Sequence, residues 1–261
     1  MMYDYVALTD TGRMRNNNED ALAFDAEKGL AVLADGMGGY NAGEVASGMA
    51  TSLITTELGR WLTQTGTQAT GKEVRRAMEN CVSDANSAIY SAACSNMDFA
   101  GMGTTLVVCV FQGARLVLGH IGDSRCYRWR HGTLAQLTRD HSLLQEQLDA
   151  GLITPAQAAV SPNRNLVTRA LGVEDAVMLE VNEYRVEPGD IYLMCSDGLS
   201  DMLSDAAIAS IFSDEFPLDS LAANLIESAN MSGGRDNISV LLVNAAPGAK
   251  KRGFVSRLLG K

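Results

Sequence analysis

Leu30-Ala31-Val32-Leu33-Ala34-Asp35-Gly36-Met37-Gly38-Gly39 carries an apolar run directly into an acid and then into a glycine-rich turn. The run reads as a β-strand, and Asp35 sits where the strand gives way to the turn. Similar junctions recur along the chain. Leu116-Val117-Leu118-Gly119 precedes Gly122-Asp123-Ser124-Arg125, and Ile191-Tyr192-Leu193-Met194-Cys195 precedes Ser196-Asp197-Gly198. Gly233-Gly234-Arg235-Asp236-Asn237 leads into Ile238-Ser239-Val240-Leu241-Leu242-Val243, and Glu19 and Asp20 lie in Asn17-Asn18-Glu19-Asp20. Any one such acid could serve only as a turn residue, because Asp tolerates turn geometry and Gly supplies positive φ. Acids placed repeatedly at strand ends are what a fold needs to gather carboxylates into one pocket. Gathered carboxylates repel one another unless a cation sits among them. Hard divalent cations prefer all-oxygen ligands, so magnesium or manganese suits this set. A metal-dependent hydrolase is the chemistry indicated.

Composition bounds the alternatives. The chain has 261 residues, 46% of them hydrophobic, and a formal net charge of −10. That length supports a large core, and that charge argues against nucleic acid as a partner. No run reaches the length of a membrane span, and the N-terminus lacks the basic and apolar regions of a signal peptide. Cys81, Cys94, Cys109, Cys126 and Cys195 are odd in number and mostly lie in apolar runs. Reduced thiols in a cytoplasmic protein are expected.

Apolar residues at Ala42, Val45, Ala46, Met49, Ala50 and Leu53 predict an amphipathic helix to about Leu62. A polar connection from Thr63 to Gly71 precedes a second helix over about Glu73–Ala93. Strands are predicted at Thr104–Phe111, Arg115–His120 and Arg125–Arg130, then at Val177–Arg185, Asp190–Cys195 and Asn237–Asn244. Tyr3–Leu8 alternates weakly. The polar stretch 138–172 interrupts the strands and suits a surface flap. The pattern predicts an α+β protein of largely antiparallel sheets covered by helices.

A set of short motifs occurs in order: Thr9-Asp10-x-Gly12-x-x-Arg15-x-x-Asn18-Glu19-Asp20, Ala34-Asp35-Gly36-Met37-Gly38-Gly39, Gly103-Thr104-Thr105, Gly122-Asp123-Ser124-Arg125, Asp140-His141-Ser142, Leu166-x-Thr168-Arg169-Ala170-Leu171-Gly172, Cys195-Ser196-Asp197-Gly198-Leu199 and Arg235-Asp236-Asn237. Together they resemble the PP2C (PPM) family of metal-dependent protein phosphatases, in its short bacterial form, over roughly residues 3–244. The resemblance implies a β-sandwich of two antiparallel sheets flanked by helices on both sides. It implies a phosphatase domain over 1–245 and hydrolysis of phosphoserine and phosphothreonine in proteins. A hydroxide bridged by two Mn²⁺ or Mg²⁺ ions would attack phosphorus, with no phosphoenzyme. Asp35 would bridge the cations, with the Gly36 carbonyl a further ligand. Asp197 and Asp236 would hold the first cation, and Glu19 or Asp20 the second. Asp123, together with Asp197, would contribute to a weaker third site. Arg15, whose planar fork holds two oxygens at once, would clamp the phosphoryl group.

Two departures from the family pattern bear on the general acid. Met37 stands where many eukaryotic members have His, and Ser161-Pro162 stands where bacterial members often read His-Pro. His120 and His141 read as structural. Cys109 and Arg115 have the Cys-x5-Arg spacing of cysteine-dependent phosphatases, but Cys109 lies in an apolar strand with no glycine-rich loop, so it reads as core. A phosphoprotein-binding module without catalysis would be expected to lack some of the acids, and a calcium-stabilised structural protein would need a contiguous Asp-x-Asp-x-Asp-Gly loop, which is missing. The expected partners are phosphorylated proteins, a bacterial Ser/Thr kinase and its targets, with the enzyme a monomer. The basic tail, 246–261, reads as a solvated end, with an anionic membrane or an acidic partner as the alternative contact.

Overall fold

The computed structural model describes residues 1–39, 42–158, 161, 166–214 and 216–247. In chain order these form β1 (Met2–Asp10), β2 (Asp20–Asp25), β3 (Leu30–Met37), α1 (Ala42–Thr65), α2 (Gly71–Ser95), β4 (Gly103–Thr104), β5 (Leu106–Gln112), β6 (Arg115–Ile121), β7 (Arg125–Arg130) and β8 (Thr133–Gln136). There follow α3 (Leu143–Asp149), α4 (Pro155–Ala158), β9 (Glu180–Arg185), β10 (Ile191–Cys195), α5 (Asp197–Ser200), α6 (Asp205–Ser213), α7 (Leu218–Met231) and β11 (Ile238–Ala246). One sheet has the order β1-β11-β10-β7-β8 and the other β2-β3-β5-β6-β9, with β4 paired to β3. Every strand pairing is antiparallel.

Alternation along the strands builds the layers. In β3, Leu30, Val32 and Ala34 pack against Ile54 and Leu58 of α1 and Met78 and Ile89 of α2. The intervening Ala31 and Leu33 face the other sheet and join Cys109, Tyr192, Leu241 and Val243. In β11, Val240 and Leu242 turn outward onto Phe212 of α6 and Leu225 of α7. A strand covered on both faces needs apolar residues at successive positions, which is why these segments read as unbroken apolar runs. The result is a helix–sheet–sheet–helix stack, the sandwich that the family resemblance implies. α2 opens on a capping box, in which Thr70 accepts from the Glu73 backbone N–H and the Glu73 side chain accepts from that of Thr70.

The structure adds β2 and β8, which the sequence reading left unassigned, and the strand expected from Val177 begins at Glu180. Within 138–172 the described residues form α3 and α4; the bridge Ser142–Val167 joins two parts of this segment, and the bridge Thr104–Leu171 ties its end to β4. Pro162 and the tail from 248 onward lie outside the described residues. Among the described residues no helix is long and apolar enough to cross a membrane. All five cysteines are free thiols.

Candidate active site

The ends of β3, β6, β10 and β11 and the β1–β2 connection converge on a cleft of about 250 Å³. Its walls include Arg15, Glu19, Asp35, Asp123, Asp197 and Asp236. Asp35 lies within β3, where its backbone N–H donates to Thr105 Oγ1 and its carbonyl accepts from the Thr105 N–H and the Thr104 hydroxyl. The Gly-Thr-Thr segment is thus a backbone clamp for this acid. Thr105 Oγ1 also lies 2.7 Å from Ser124 Oγ, which ties the clamp to the Asp123 turn. At Gly36 a side chain would overlap the Gly43 carbonyl oxygen at the start of α1. Only glycine lets the two backbones approach so closely.

Glu19 and Asp20 are adjacent but face different surroundings. Glu19 lines the cleft; its backbone N–H donates to Asn237 Oδ1, and its side chain accepts from Asn17. Asp20 is absent from the lining residues and accepts from the Ser196 hydroxyl at 2.8 Å. It stands directly across the ladder from Asp35. Asp197 opens α5 after β10, and a Cβ at Gly198 would overlap the Asn237 carbonyl oxygen, so Gly198 permits the turn to pack there.

Asn237 is the residue the sequence reading left without a role. Besides Glu19, it holds the carbonyls of Thr11 and Asn17 with its amide nitrogen. It fastens the segment bearing Arg15 and Glu19 to the start of β11. Its place beside Asp236 in Arg-Asp-Asn was visible, but partners some 220 positions away were not.

The electrostatics are lopsided. Burial, then Asp20, Asp197, Asp123 and Asp236, hold the Asp35 carboxyl well above the usual carboxylate range. Burial, then Asp123, Asp201, Asp236 and Asp20, do the same to Asp197. Burial chiefly pushes Asp20 up to about 7 and Asp123 up to about 6. Arg15 is the cationic residue in the cleft lining, and its guanidinium donates to Asp236 Oδ2 at 2.7 Å. One guanidinium cannot balance this many acids. A cluster of carboxyls left short of positive charge, with oxygen as the dominant donor, fits hard divalent cations.

Arg125 does not pair with Asp123. Its guanidinium takes Asp140 in a two-pronged contact, with Nε at 3.0 Å and Nη2 at 2.7 Å. His120 and His141 stack with centroids 4.7 Å apart and planes 12° from parallel, outside the cleft lining. With a Glu180 oxygen their donor atoms fall within 4.8 Å of one another. Near-parallel rings cannot both point in-plane lone pairs at one ion, so the pair packs structurally. Cys109 is wholly buried between the sheets, and Arg115 is engaged by Gln112 and the Ala69 carbonyl. No Cys–Arg phosphate loop exists there.

Known proteins of similar sequence and structure identify the family. The family model described as Protein phosphatase 2C matches residues 12–236. The serine/threonine phosphatase stp of Listeria innocua is 38% identical over 90% of this chain and 93% of its own. The crystal structure of the Mycobacterium tuberculosis serine/threonine phosphatase PstP/Ppp superposes with a TM-score of 0.84 at 38% identity, covering 95% of this chain and all of that one. A structure of the catalytic domain of the serine threonine protein phosphatase PstP, in complex with two manganese ions, gives a TM-score of 0.82 at 37% identity over 94% of this chain and 99% of that one. The chain belongs to the protein phosphatase 2C family and is an enzyme of the protein serine/threonine phosphatase class.

Proposed function

We propose that the protein hydrolyses phosphoserine and phosphothreonine in other proteins with two Mn²⁺ or Mg²⁺ ions held in the acidic cleft. The observation that carries this reading is the convergence of Glu19, Asp35, Asp123, Asp197 and Asp236 on one cleft with Arg15 as its cation. Asp35, with the Gly36 carbonyl, would help hold the two cations. Asp197 and Asp236 would hold one, and Glu19 or Asp20 the other, of which Glu19 lines the cleft. Asp123 and Asp197 would hold a third cation more weakly. When bound, these cations supply an acidified water and positive charge for the phosphoryl oxygens.

The chain's own groups do the rest. Arg15 presents a fork to the phosphoryl oxygens, and its bond to Asp236 aims it before substrate arrives. Thr105 is the hydroxyl side chain in the lining, and its oxygen is already engaged by Ser124 and the Asp35 N–H. No cysteine or histidine lines the cleft among the described residues, which favours direct attack by water and no phosphoenzyme. The catalytic unit runs over 1–245, with 138–172 as a flap beside the cleft. A bacterial Ser/Thr kinase and its targets are the natural partners, for a cytoplasmic monomer with reduced thiols.

The test is phosphate release from matched phosphoserine, phosphothreonine and phosphotyrosine peptides with Mn²⁺ present. The first two should be hydrolysed, and Asp35→Asn and Asp197→Asn should abolish turnover while leaving the melting temperature measurable. Hydrolysis undiminished in both variants would refute the reading.

A further inference from the structure

A second groove, of about 620 Å³, opens beside the catalytic cleft and shares two walls with it, Met37 and Val167. Its other large apolar walls are Val173, Val177 and Met178, contributed by the segment that leads from the flap to β9. Val173 is 52% exposed and Met178 is 72% exposed, so the walls leave apolar surface open to water. Gly103 leaves the space that Val173 occupies, since an added Cβ there would sit 2.8 Å from Val173 Cγ2. The charged residues of the groove, Arg169 and Glu174, are of opposite sign. They leave no net charge to select an acidic or a basic occupant. Exposed methionine and valine around a concavity favour an aliphatic side chain, and methionine adapts to several shapes.

Continuity with the catalytic cleft says what fills the groove. A phosphoserine or phosphothreonine in the acidic cleft is attached to a polypeptide, and the next few residues of that chain must run along the adjoining surface. Each residue spans about 3.3–3.6 Å when extended, so a side chain within three positions reaches the neighbouring groove. We propose that this groove is a specificity subsite, which seats a large aliphatic side chain of the phosphoprotein close in sequence to the phosphorylated residue. This rests on the proposed phosphoprotein hydrolysis. Met178 and Val173 are its selecting residues and take no part in the chemistry.

The experiment uses the full chain with Mn²⁺ and phosphothreonine peptides in a Gly/Ser host, with leucine placed at each position from −3 to +3. Leucine at one position should raise kcat/KM about tenfold over the all-Gly/Ser peptide, the scale on which an apolar pocket discriminates. Met178→Asp should erase that preference and leave kcat/KM on p-nitrophenyl phosphate unchanged. Val173→Ser, a second variant, should reduce the preference if Met178→Asp fails to fold. A flat leucine scan on an active enzyme would overturn the subsite and leave the proposed function standing. A leucine preference that survives both folded variants would overturn it too, because the apolar seat would lie elsewhere. Hydrolysis of none of the peptides would overturn the proposed function and the subsite with it.

Discussion

Arg15 and Asp236 hold each other across the mouth of the cleft at 2.7 Å, with the Arg15 side chain 52% exposed. An ion pair this open adds little to stability. Under the proposed function its value would be orientation, holding the guanidinium at the cleft wall. Arg15→Ala should therefore cost about 1.5–3 kcal/mol of transition-state binding on a phosphopeptide, a loss in kcat/KM of roughly tenfold to 150-fold, with an unchanged melting temperature. Arg15→Lys should recover only part of this, since an ammonium cannot form the two-pronged contact. Steady-state kinetics on one peptide would show both. Asp123 calls for a different readout. The cleft lining lacks histidine among the described residues, and in the proposed reaction Asp123 would help deliver the proton to the leaving oxygen. A serine oxygen needs that proton and a nitrophenolate does not. Asp123→Ala should lower kcat on phosphopeptides more than on p-nitrophenyl phosphate, at an unchanged melting temperature. Equal losses on the two substrates would remove Asp123 from proton delivery.

Among the elements, the junction of β6 with the flap has its own titration. The His141 N–H donates to the Gly122 carbonyl at 2.9 Å, and His141 Nδ1 accepts from the Gly122 N–H at 3.2 Å. That double contact fixes the residue before Asp123, and it requires a neutral Nδ1. Burial, then His120 and Arg169, lower the His141 pKa, while Glu180 opposes them. The unfolded chain therefore binds the proton more readily, and stability falls as pH drops below about 6.5. With Mn²⁺ saturating, the melting temperature of the wild type should fall more steeply between pH 7 and 5.5 than that of His141→Gln. Equal slopes would contradict the assignment. Elements of this kind differ in how well sequence reveals them. β3 and β11 were legible because strands covered on both faces are unbroken apolar runs. β2 and β8 lie at sheet edges and are only partly buried; the apolar run of β2 is just four residues, Ala21-Leu22-Ala23-Phe24, and that of β8 two, Leu134 and Ala135. The acids were legible from their turns and glycines. The bonds of Asn237 and Thr105 that hold those acids in register were not, because their partners are fixed only by the folded topology.

For the molecule as a whole, the fold spends its packing on two sheets and two helical layers in order to hold carboxyls where they repel one another. The raised carboxyls of Asp20, Asp35, Asp123 and Asp197 mean that the folded, metal-free protein binds more protons than the unfolded chain. For these groups stability is greatest at low pH and is lost as pH rises from about 4 through the folded values, near 6 to 7 for Asp123 and Asp20. A cation needs the same groups ionised, so it competes with protons and restores stability where the acids have lost theirs. The rise in melting temperature caused by a fixed Mn²⁺ concentration should grow between pH 5.5 and 8. A rise independent of pH would place the ion elsewhere. The most direct measurement is phosphate release from a phosphothreonine peptide by protein exhaustively treated with EDTA, before and after Mn²⁺ or Mg²⁺ is returned. The acidic cleft predicts no release from the chelated protein and recovery with either ion; hydrolysis that persists undiminished after chelation would contradict it.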